Sequence, residues 1–451
     1  MRIGSALLCA ALASGTAAAD SEIDTTFGIF STGHNVVSIN RGDNNADFVA
    51  EVLTAPDNSL YLIGSANSTL TDFRIALVHL LDNGQLDTDF GSGGKFVGPT
   101  GTNNTIASAA AFDGAGNILV GGTRRISADN TDFTVCKFHG AGVTQFSTTG
   151  TACITVAFDL GGTLQDVARD MLVLADGRIV LVGSARSAAG LEAAIAVINA
   201  DGSADTDFGP GGKRHWLTAG RASEELFGVA LQSGTLLIAV GEAITTGTGY
   251  HGAIVAKVGL TDGTLYYSTL DFLGTANGPA YYRDVSVRPN NPPIAVGAVL
   301  DNGKVRGMAT RVLASGDYDP SWDFNNAFST IGAGDKVELT RIIEQSDGKY
   351  LVAGEVTATG GGSSSLLVGR FTQAGSLDAG TFNLLTGYRT VDFALPGSYD
   401  SGARLALQAG QPILAGSVQV AAASTDYDYG VARLVNDLIY SGSFGTSALD
   451  D

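Results

Sequence analysis

A short apolar segment that ends in glycine recurs seven times along this chain of 451 residues. A typical copy, ADGRIVLVGSA at residues 175–185, joins a turn sequence to four aliphatic residues and then to glycine. Apolar runs of this length between Gly, Asp and Asn predict β-strands that are buried on both faces. The glycines that align the copies are Gly64, Gly121, Gly183, Gly241, Gly297, Gly354 and Gly416. The six intervals between them average about 59 residues.

Each period contains three further segments beside the one that ends in glycine. In the third period, VARDMLVLA (residues 167–175) precedes it, EAAIAVINA (residues 192–200) follows it, and an edge-like segment comes last. Four antiparallel strands in about 59 residues are typical of one blade of a β-propeller. A solenoid is the alternative, but its units are shorter, about 20–45 residues, and it needs distinct end caps.

The two ends of the chain favour the propeller. The last period has three strand segments and little room for a fourth, whereas HNVVSIN (His34–Asn40) precedes the first period and has no partner in it. We therefore predict that His34–Asn40 pairs with the strand near Tyr429–Val435, because this pairing removes the exposed edges of an open array. The predicted fold class is all-β: a seven-bladed β-propeller of four-stranded antiparallel blades, closed by an N-terminal strand that completes the last blade.

The predicted domain follows a signal peptide and spans residues 20–451. Its blades are expected at approximately residues 46–98, 105–158, 164–219, 223–274, 281–330, 337–393, and 400–445 plus strand 34–40. Residues 1–19 combine Arg2, a short apolar run and the small residues AAA, which is typical of a signal peptide. Cys9 lies inside the apolar run, so lipidation is the less favoured alternative. We expect an exported protein, periplasmic or extracellular, that does not insert into a membrane.

Charge narrows the range of partners. The formal net charge is −19 and only 16% of the residues are charged, with no cluster of Lys or Arg. Such a surface repels phosphate backbones, so we expect no nucleic-acid partner. The expected partner is an unknown protein or small-molecule ligand, and the expected state is a monomer.

Two cysteines remain after the signal peptide. Cys136 and Cys153 lie in strand-like segments on either side of a turn-rich stretch. An exported protein permits a disulfide between them, and two free buried thiols are the alternative. The CxxC spacing of a redox site is absent.

A second motif, D-x-x-F-G, follows the third strand of some periods, as LDTDFG at residues 86–91 and ADTDFG at 204–209, and occurs once before the first period, as IDTTFG at 23–28. Together with the DG turns and the I-V-x-x-G strands, it resembles the Delta-60 repeat family of exported bacterial β-propeller proteins. The resemblance covers essentially the whole mature chain, although the fourth, fifth and seventh periods only approximate the motif. It implies a propeller, and it implies no established activity and no catalytic residues.

The recurrent aspartates of this motif, Asp24, Asp87, Asp205 and more loosely Asp378, have two interpretations. Carboxylates beside turns bind Ca²⁺ when six to eight oxygens converge, but the D-x-D-x-D-G loop is absent. We therefore expect each Asp to cap a turn and each following Phe to pack between blades. No cofactor is expected, and Ca²⁺ is the one ion that the carboxylates bring into consideration.

The candidate site is the entrance of the central channel, which the innermost strand of each blade lines. Thirteen residues before each aligning glycine lie Glu51, Ser108, Asp170, Gly228, Asp284, Arg341 and Ala403, and nearby positions add Asp47, Arg169, Glu225, Arg283, Glu338, Asp400 and Arg404. The candidate ligand-binding residues are Glu51, Arg169, Asp170, Arg283, Asp284, Glu338 and Arg341. They predict a polar funnel for a small cation, a sugar or a partner's side chain. The alternative is that these charges only satisfy one another, since unpaired buried charges are costly.

A catalytic constellation is missing from the sequence. There is no G-x-S-x-G elbow, and the five histidines have no metal-binding spacing. We predict an exported, non-enzymatic propeller that acts as a binding or scaffold module. The alternative is a lactonase-like propeller hydrolase that holds a divalent cation near Glu51, Asp170 and Asp284. A third possibility is surface adhesion through the long loops at residues 245–251 and 357–365.

Overall fold

The structure is a computed structural model that describes most of the chain. The described residues are 21–29, 32–41, 46–69, 72–99, 104–161, 163–271, 279–288, 291–301, 303–322, 336–358, 360–383, 386–393, 395–397, 399–422 and 425–436. The predicted signal peptide, residues 1–19, lies outside them, as do the predicted fourth strand of the fifth blade and residues 437–445. Within the described residues the fold is all-β, and helical structure is limited to short 3-10 turns such as Pro210–Gly212.

The strands form six antiparallel or mixed sheets, which contain seven successive groups. Group 1 consists of β2 (Asp47–Thr54), β3 (Leu60–Thr69), β4 (Asp72–Leu80) and β5 (Lys95–Val97). Group 2 consists of β6 (Thr105–Phe112), β7 (Ile118–Ser127), β8 (Asn130–Phe138) and β9 (Cys153–Val156). Group 3 consists of β10 (Asp166–Val173), β11 (Ile179–Arg186), β12 (Leu191–Ile198) and β13 (Lys213–Trp216). Each group follows the order of the chain, with each strand antiparallel to the next.

The later groups repeat this pattern. Group 4 consists of β14 (Arg221–Gln232), β15 (Leu236–Thr245), β16 (His251–Gly259) and β17 (Leu265–Asp271), and group 5 of β18 (Ala280–Ser286), β19 (Ile294–Asp301) and β20 (Lys304–Arg311). Group 6 consists of β21 (Lys336–Glu344), β22 (Tyr350–Thr357), β23 (Ser364–Phe371) and β24 (Tyr388–Val391). Group 7 consists of β25 (Asp400–Gln408), β26 (Gln411–Gln419) and β27 (Tyr427–Arg433), together with β1 (His34–Val37). Groups 3 and 4 count as one sheet because a single parallel bridge joins Leu191 to Ser223.

The N-terminal strand β1 completes the sheet of group 7. It pairs with β27 in an antiparallel register from His34 opposite Ala432 to Val37 opposite Tyr429. This is the pairing that the sequence predicts, although the strand ends at Val37 and does not reach Asn40.

Each first strand carries a β-bulge at an equivalent place, and β14 has a second irregularity between Arg221 and Ser223. The residue that the bulge adds is Ala50, Ser108, Arg169, Phe227, Arg283 or Thr340 in the first six groups, and in β25 the shift falls between Ser401 and Arg404. A bulge bends its strand and redirects the side chains that follow it.

In the first six groups the bulge explains why the apolar run of the second strand ends in glycine, although the strand itself continues beyond it. The residue before the bulge faces that glycine, and a Cβ on Gly183 would lie only 1.9 Å from the carbonyl oxygen of Val167. The same close approach occurs at Gly64, where a Cβ would lie 1.9 Å from the carbonyl oxygen of Phe48. Any side chain at these positions would collide with the bulged backbone.

The predicted alignment of the second copy is wrong by one residue. Ala107 faces Gly122, and a Cβ on Gly122 would lie 2.1 Å from the carbonyl oxygen of Ile106, so Gly122 and not Gly121 is the equivalent glycine. Adjacent glycines made the two choices indistinguishable in the sequence. Consequently Ala109 follows the bulge, and Ser108 is the bulge residue itself.

The hydrophobic core lies between neighbouring groups. Seven clusters of buried side chains each combine residues of two groups, and one of them joins the last group to the first. In that cluster Val49 and Leu62 of group 1 pack with Ile413 and Tyr429 of group 7. Burial on both faces of the sheets explains why the strand segments are continuous apolar runs instead of alternating ones.

The D-x-x-F-G motif forms a capped turn. Asp24 Oδ1 accepts the N–H of Thr26 at 3.0 Å, and Asp87 Oδ1 accepts that of Asp89 at 3.1 Å. The following Phe27 is fully buried against neighbouring strands.

Cys136 and Cys153 face each other on β8 and β9 and form a disulfide. No helix in the described part of the chain is long and apolar enough to span a membrane.

Candidate functional site

The seven first strands lie side by side in chain order, and β25 also lies against β2. Between them is a cavity of about 360 Å³. Its lining comes from six of the seven strands and consists of Ile106, Ala107, Ser108, Arg169, Phe227, Arg283, Glu338, Thr340, Arg341 and Arg404. We call this cavity the cup. Its size falls in the range of small-molecule sites in proteins.

Four residues that follow bulges, Glu51, Asp170, Asp284 and Arg341, form a charged cluster that we call the floor; of these only Arg341 belongs to the lining of the cup. Arg341 Nη2 lies 2.5 Å from Glu51 Oε2, and its Nη1 lies 3.6 Å from Asp170 Oδ1 and 3.9 Å from Asp284 Oδ1. These four charged side chains are only 8–13% exposed. Burial alone would lower the pKa of Arg341, but the three carboxylates outweigh it and raise that pKa above its usual range.

Two of these carboxylates also bind the backbone of the next group. Asp170 Oδ2 accepts the N–H of Val229 at 3.0 Å, and Asp284 Oδ2 accepts that of Ile342 at 2.9 Å. Burial nevertheless raises the pKa of Asp284 to about 6. The floor therefore holds together first strands that are about 59 residues apart in sequence.

Arg404 differs from the other arginines of the cup. Its Nε donates to the carbonyl oxygen of Ala50 at 2.5 Å, and its Nη1 donates to that of Ala403 at 3.1 Å. No carboxylate of the described residues lies within 4.0 Å of it, and its Nη2 has no hydrogen bond to them. Burial, and then the positive charge of Arg341, lower the pKa of Arg404 to about 10 against the opposing charges of Glu51, Asp170 and Asp284, so it stays charged at neutral pH.

One wall of the cup consists of stacked arginines and aromatic rings. The guanidinium carbon of Arg283 lies 4.4 Å from the ring centre of Phe227 and 4.5 Å from that of Tyr281, and its Nε donates to Glu338 Oε1 at 2.7 Å. Arg169 lies 5.7 Å from Phe227, and its Nε donates to Glu225 Oε1 at 2.8 Å. Cation–π contacts and ion pairs hold both guanidinium groups in place.

The structure brings the predicted residues together in two sets. Glu51, Asp170, Asp284 and Arg341 form the floor, whereas Arg169, Arg283 and Glu338 belong to the walls. Glu51, Asp170 and Asp284 contact Arg341 but lie outside the lining, as do Asp47 and Asp400. Asp47 begins the first strand and accepts the N–H of Ile39 at 2.6 Å, which is a structural role.

The sequence did not indicate Phe227 as a lining residue, and it placed Arg404 only near the candidate site. Both belong to the register of the bulges, because Phe227 is the bulge residue of β14 and Arg404 is the first paired residue after the bulge of β25. The bulge was not inferred from the sequence, although the aligning glycine locates it.

The three floor carboxylates do not fit a calcium site in this arrangement. Ca²⁺ needs six to eight oxygen ligands, and the guanidinium of Arg341 occupies the space between these carboxylates. In the described ranges, no group of three or more His, Cys, Asp or Glu side chains has a metal-binding arrangement.

Comparison with known proteins concerns the fold. A family model described as a domain of unknown function (DUF5122) β-propeller matches residues 174–208 and 345–380. These segments contain the second and third strands of groups 3 and 6, and each extends past the aspartate that follows the third strand, Asp205 or Asp378. No match to the chain was found among curated proteins.

Solved structures with a similar fold include three of different types. The polysaccharide lyase Uly1 is 12% identical, with a TM-score of 0.47 over 86% of this chain and 90% of its own. The β-propeller domain of the Trilobed protease from Pyrococcus furiosus is 8% identical, with a TM-score of 0.43 over 86% and 94%. An exo-1,5-α-L-arabinanase from a bovine ruminal metagenomic library is 10% identical, with a TM-score of 0.34 over 60% and 93%.

The successive sheets, the cores between them and the family match together define a β-propeller. The likeness to solved structures indicates nothing about the ligand or activity of this chain.

Proposed function

We propose that this protein is an exported, closed seven-bladed propeller of Delta-60-type repeats, and that it binds a small polar ligand in the cup without catalysis. The observation that carries the binding role is the cup itself, a cavity of about 360 Å³ whose charged walls and floor are already ordered by ion pairs. An ordered polar cavity costs little conformational entropy on binding.

The closed ring is supported by contacts that repeat between groups. Ser65 Oγ accepts the N–H of Ala107 at 2.8 Å, and Thr123 Oγ1 accepts that of Ala168 at 3.0 Å, so each bonds the first strand of the next group. Ser417 Oγ accepts the N–H of Val49 at 3.0 Å, which is the same contact from the last group to the first. Group 7 therefore contacts group 1 as group 1 contacts group 2 and as group 2 contacts group 3.

The proposed protein acts as a monomer outside the cytoplasm, in the periplasm or beyond the cell, and its ligand is a small molecule or a side chain of a partner protein. The disulfide between Cys136 and Cys153 supports the exported location, because disulfides persist in oxidising compartments. The net charge of −19 disfavours nucleic acid as the partner.

A ligand screen with a variant that blocks the cup tests the binding role. Ile106 lines the cup and its side chain is 47% exposed, so Ile106→Trp narrows the opening without disturbing a buried core. Ile126→Trp is the matched control, since Ile126 lies on the same blade, is 50% exposed and is not part of the lining. Saturation-transfer NMR with a mixture of sugars, organic acids and amino acids would measure binding.

The expected result is that at least one compound binds the wild-type protein and the Ile126→Trp variant but not the Ile106→Trp variant. Binding that is the same in all three proteins would show that the cup is not the site.

The lactonase-like alternative requires Arg341 to leave the three floor carboxylates so that Ca²⁺ can replace it. Calcium-dependent lactone hydrolysis, lost in Asp170→Asn, would favour that alternative.

A further inference from the structure

We infer that the ligand of the cup is a small monocarboxylate, and that its carboxylate group binds Arg404. This inference rests on the proposed binding role of the cup and adds the chemical class of the ligand. The arginines that line the cavity differ in whether a carboxylate pairs with them.

Three of the four arginines already have a carboxylate partner. Arg169 pairs with Glu225 at 2.8 Å, Arg283 pairs with Glu338 at 2.7 Å, and Arg341 pairs with Glu51 at 2.5 Å. Arg404 has only backbone carbonyl oxygens as hydrogen-bond partners in the described part of the chain. It therefore brings a positive charge to the lining that no neighbouring side chain neutralises at contact distance.

A charge of this kind is costly unless an anion compensates it. A guanidinium group in a partly desolvated cavity gains most from an oxyanion, because its N–H groups match the two oxygens of a carboxylate. The two bonds from Nε and Nη1 hold Arg404 in one orientation, and its Nη2 is left to donate to a ligand.

The surroundings favour one negative charge over two. The floor contributes the carboxylates of Glu51, Asp170 and Asp284 against Arg341, and the walls contribute Glu338. These groups and the net charge of −19 repel a phosphate dianion more strongly than a carboxylate. The class that fits is therefore a monocarboxylate.

The remaining lining suits a ligand with hydroxyl groups near its carboxylate. Glu338 and the hydroxyl groups of Ser108 and Thr340 supply polar atoms around the cavity, beside the apolar side chain of Ile106. A cavity of about 360 Å³ accommodates a molecule of the size of a monosaccharide. A hexuronate such as D-glucuronate has this combination of groups and serves as the probe.

Calorimetric titration with three probes tests the class on the wild-type protein. D-glucuronate carries one carboxylate, D-glucose is a neutral analogue of the same size, and inorganic phosphate is a different oxyanion. The expected result is binding of D-glucuronate that exceeds that of both other probes by at least about tenfold. Equal binding of D-glucose would overturn the inference and leave the proposed binding role intact. Tighter binding of phosphate, or no binding of D-glucuronate, would also overturn the inference.

Variants test the role of Arg404. Arg404→Gln removes the charge, and we expect it to weaken D-glucuronate binding at least about tenfold, whereas Arg404→Lys retains the charge and loses only a few fold. Arg125→Gln, at an exposed arginine of β7 outside the lining, is the control and leaves binding unchanged. Thermal unfolding of each variant shows whether it is folded. If folded Arg404→Gln binds D-glucuronate as the wild type does, the assignment of Arg404 is wrong.

Discussion

Arg341 and Glu51, which are 290 residues apart in sequence, form an ion pair of 2.5 Å at the floor of the cup. Asp170 and Asp284 complete the surroundings of Arg341 at 3.6 Å and 3.9 Å. The pair therefore connects the first and sixth groups of the chain. Because each side chain is about nine-tenths buried, the loss of one partner leaves charges that water screens poorly.

We expect Arg341→Met to reduce the free energy of unfolding by about 3–5 kcal/mol, because three buried carboxylates lose their counter-charge. Lys336→Met, on the same strand, is the control: Lys336 is 49% exposed and lies 3.4 Å from Glu338, so its loss costs about 1 kcal/mol or less. Equilibrium unfolding in urea measures both. Equal losses of unfolding free energy in the two variants would contradict the stabilising role that we assign to the floor.

The aligning glycines should not tolerate even one methyl group. We expect Gly183→Ala to lose about 2 kcal/mol or more of stability, because its Cβ would lie 1.9 Å from the carbonyl oxygen of Val167. Gly114→Ala is the matched control, since a Cβ there has nothing within 4 Å, and it should change stability by less than about 1 kcal/mol. The unfolding midpoints of the two variants provide the comparison.

Buried carboxyl groups at the starts of first strands predict a dependence of stability on pH. Burial raises the pKa of Asp47 to about 8, with Asp428 and Asp426 adding to the rise, while the N–H of Ile39 and the charge of Lys95 oppose it. A carboxyl group with a raised pKa binds its proton more tightly in the folded state. Its contribution to stability is therefore present at low pH and declines between about pH 4 and pH 8.

We expect Asp47→Asn to flatten this decline, because asparagine resembles the protonated acid and has no charge to bury. Asp57→Asn is the control: the side chain is exposed, and hydrogen bonds from Ser59 lower its pKa, so its effect has the opposite sign and lies at lower pH. Unfolding free energies at half-unit steps from pH 4 to pH 8 measure the slope of both variants, and Asp57→Asn should keep the wild-type slope in this range. An unchanged slope in Asp47→Asn would refute the assignment.

The disulfide should stabilise group 2. It closes a loop with a sequence separation of 17 residues, so replacing both Cys136 and Cys153 by Ala should cost about 3 kcal/mol. Reductant should lower the melting temperature of the wild-type protein toward that of the double variant. The double variant itself should not respond to reductant, and an equal response of both proteins would show that another effect is measured.

The proposed ring closure predicts the behaviour of a shortened chain. Without residues 1–40, β27 loses its partner β1 and the core between groups 7 and 1 loses Phe27, Val37 and Ile39. An exposed strand edge promotes self-association, so the shortened protein should form oligomers in sedimentation experiments. Addition of a peptide with residues 21–41 should restore the monomer. A shortened chain that stays monomeric and equally stable would show that closure by β1 is wrong.

The sequence by itself determined the strands, their order and most of the aligning glycines. These features are local, because an apolar run buried on both faces and a glycine that faces a bulged backbone leave a similar pattern in most copies. The Gly121–Gly122 pair marks where this local information ends, since either residue satisfies the pattern and only the pairing with Ala107 distinguishes them.

Only the tertiary structure decided which charges meet. The sequence placed Glu51, Asp170, Asp284 and Arg341 at one level of the channel, but not that Arg341 neutralises the other three or that Arg404 lacks a carboxylate partner. Ion pairing depends on distances of a few ångströms between side chains from separate blades. The bulges and the packing of the blades set those distances, and no spacing along the chain encodes them.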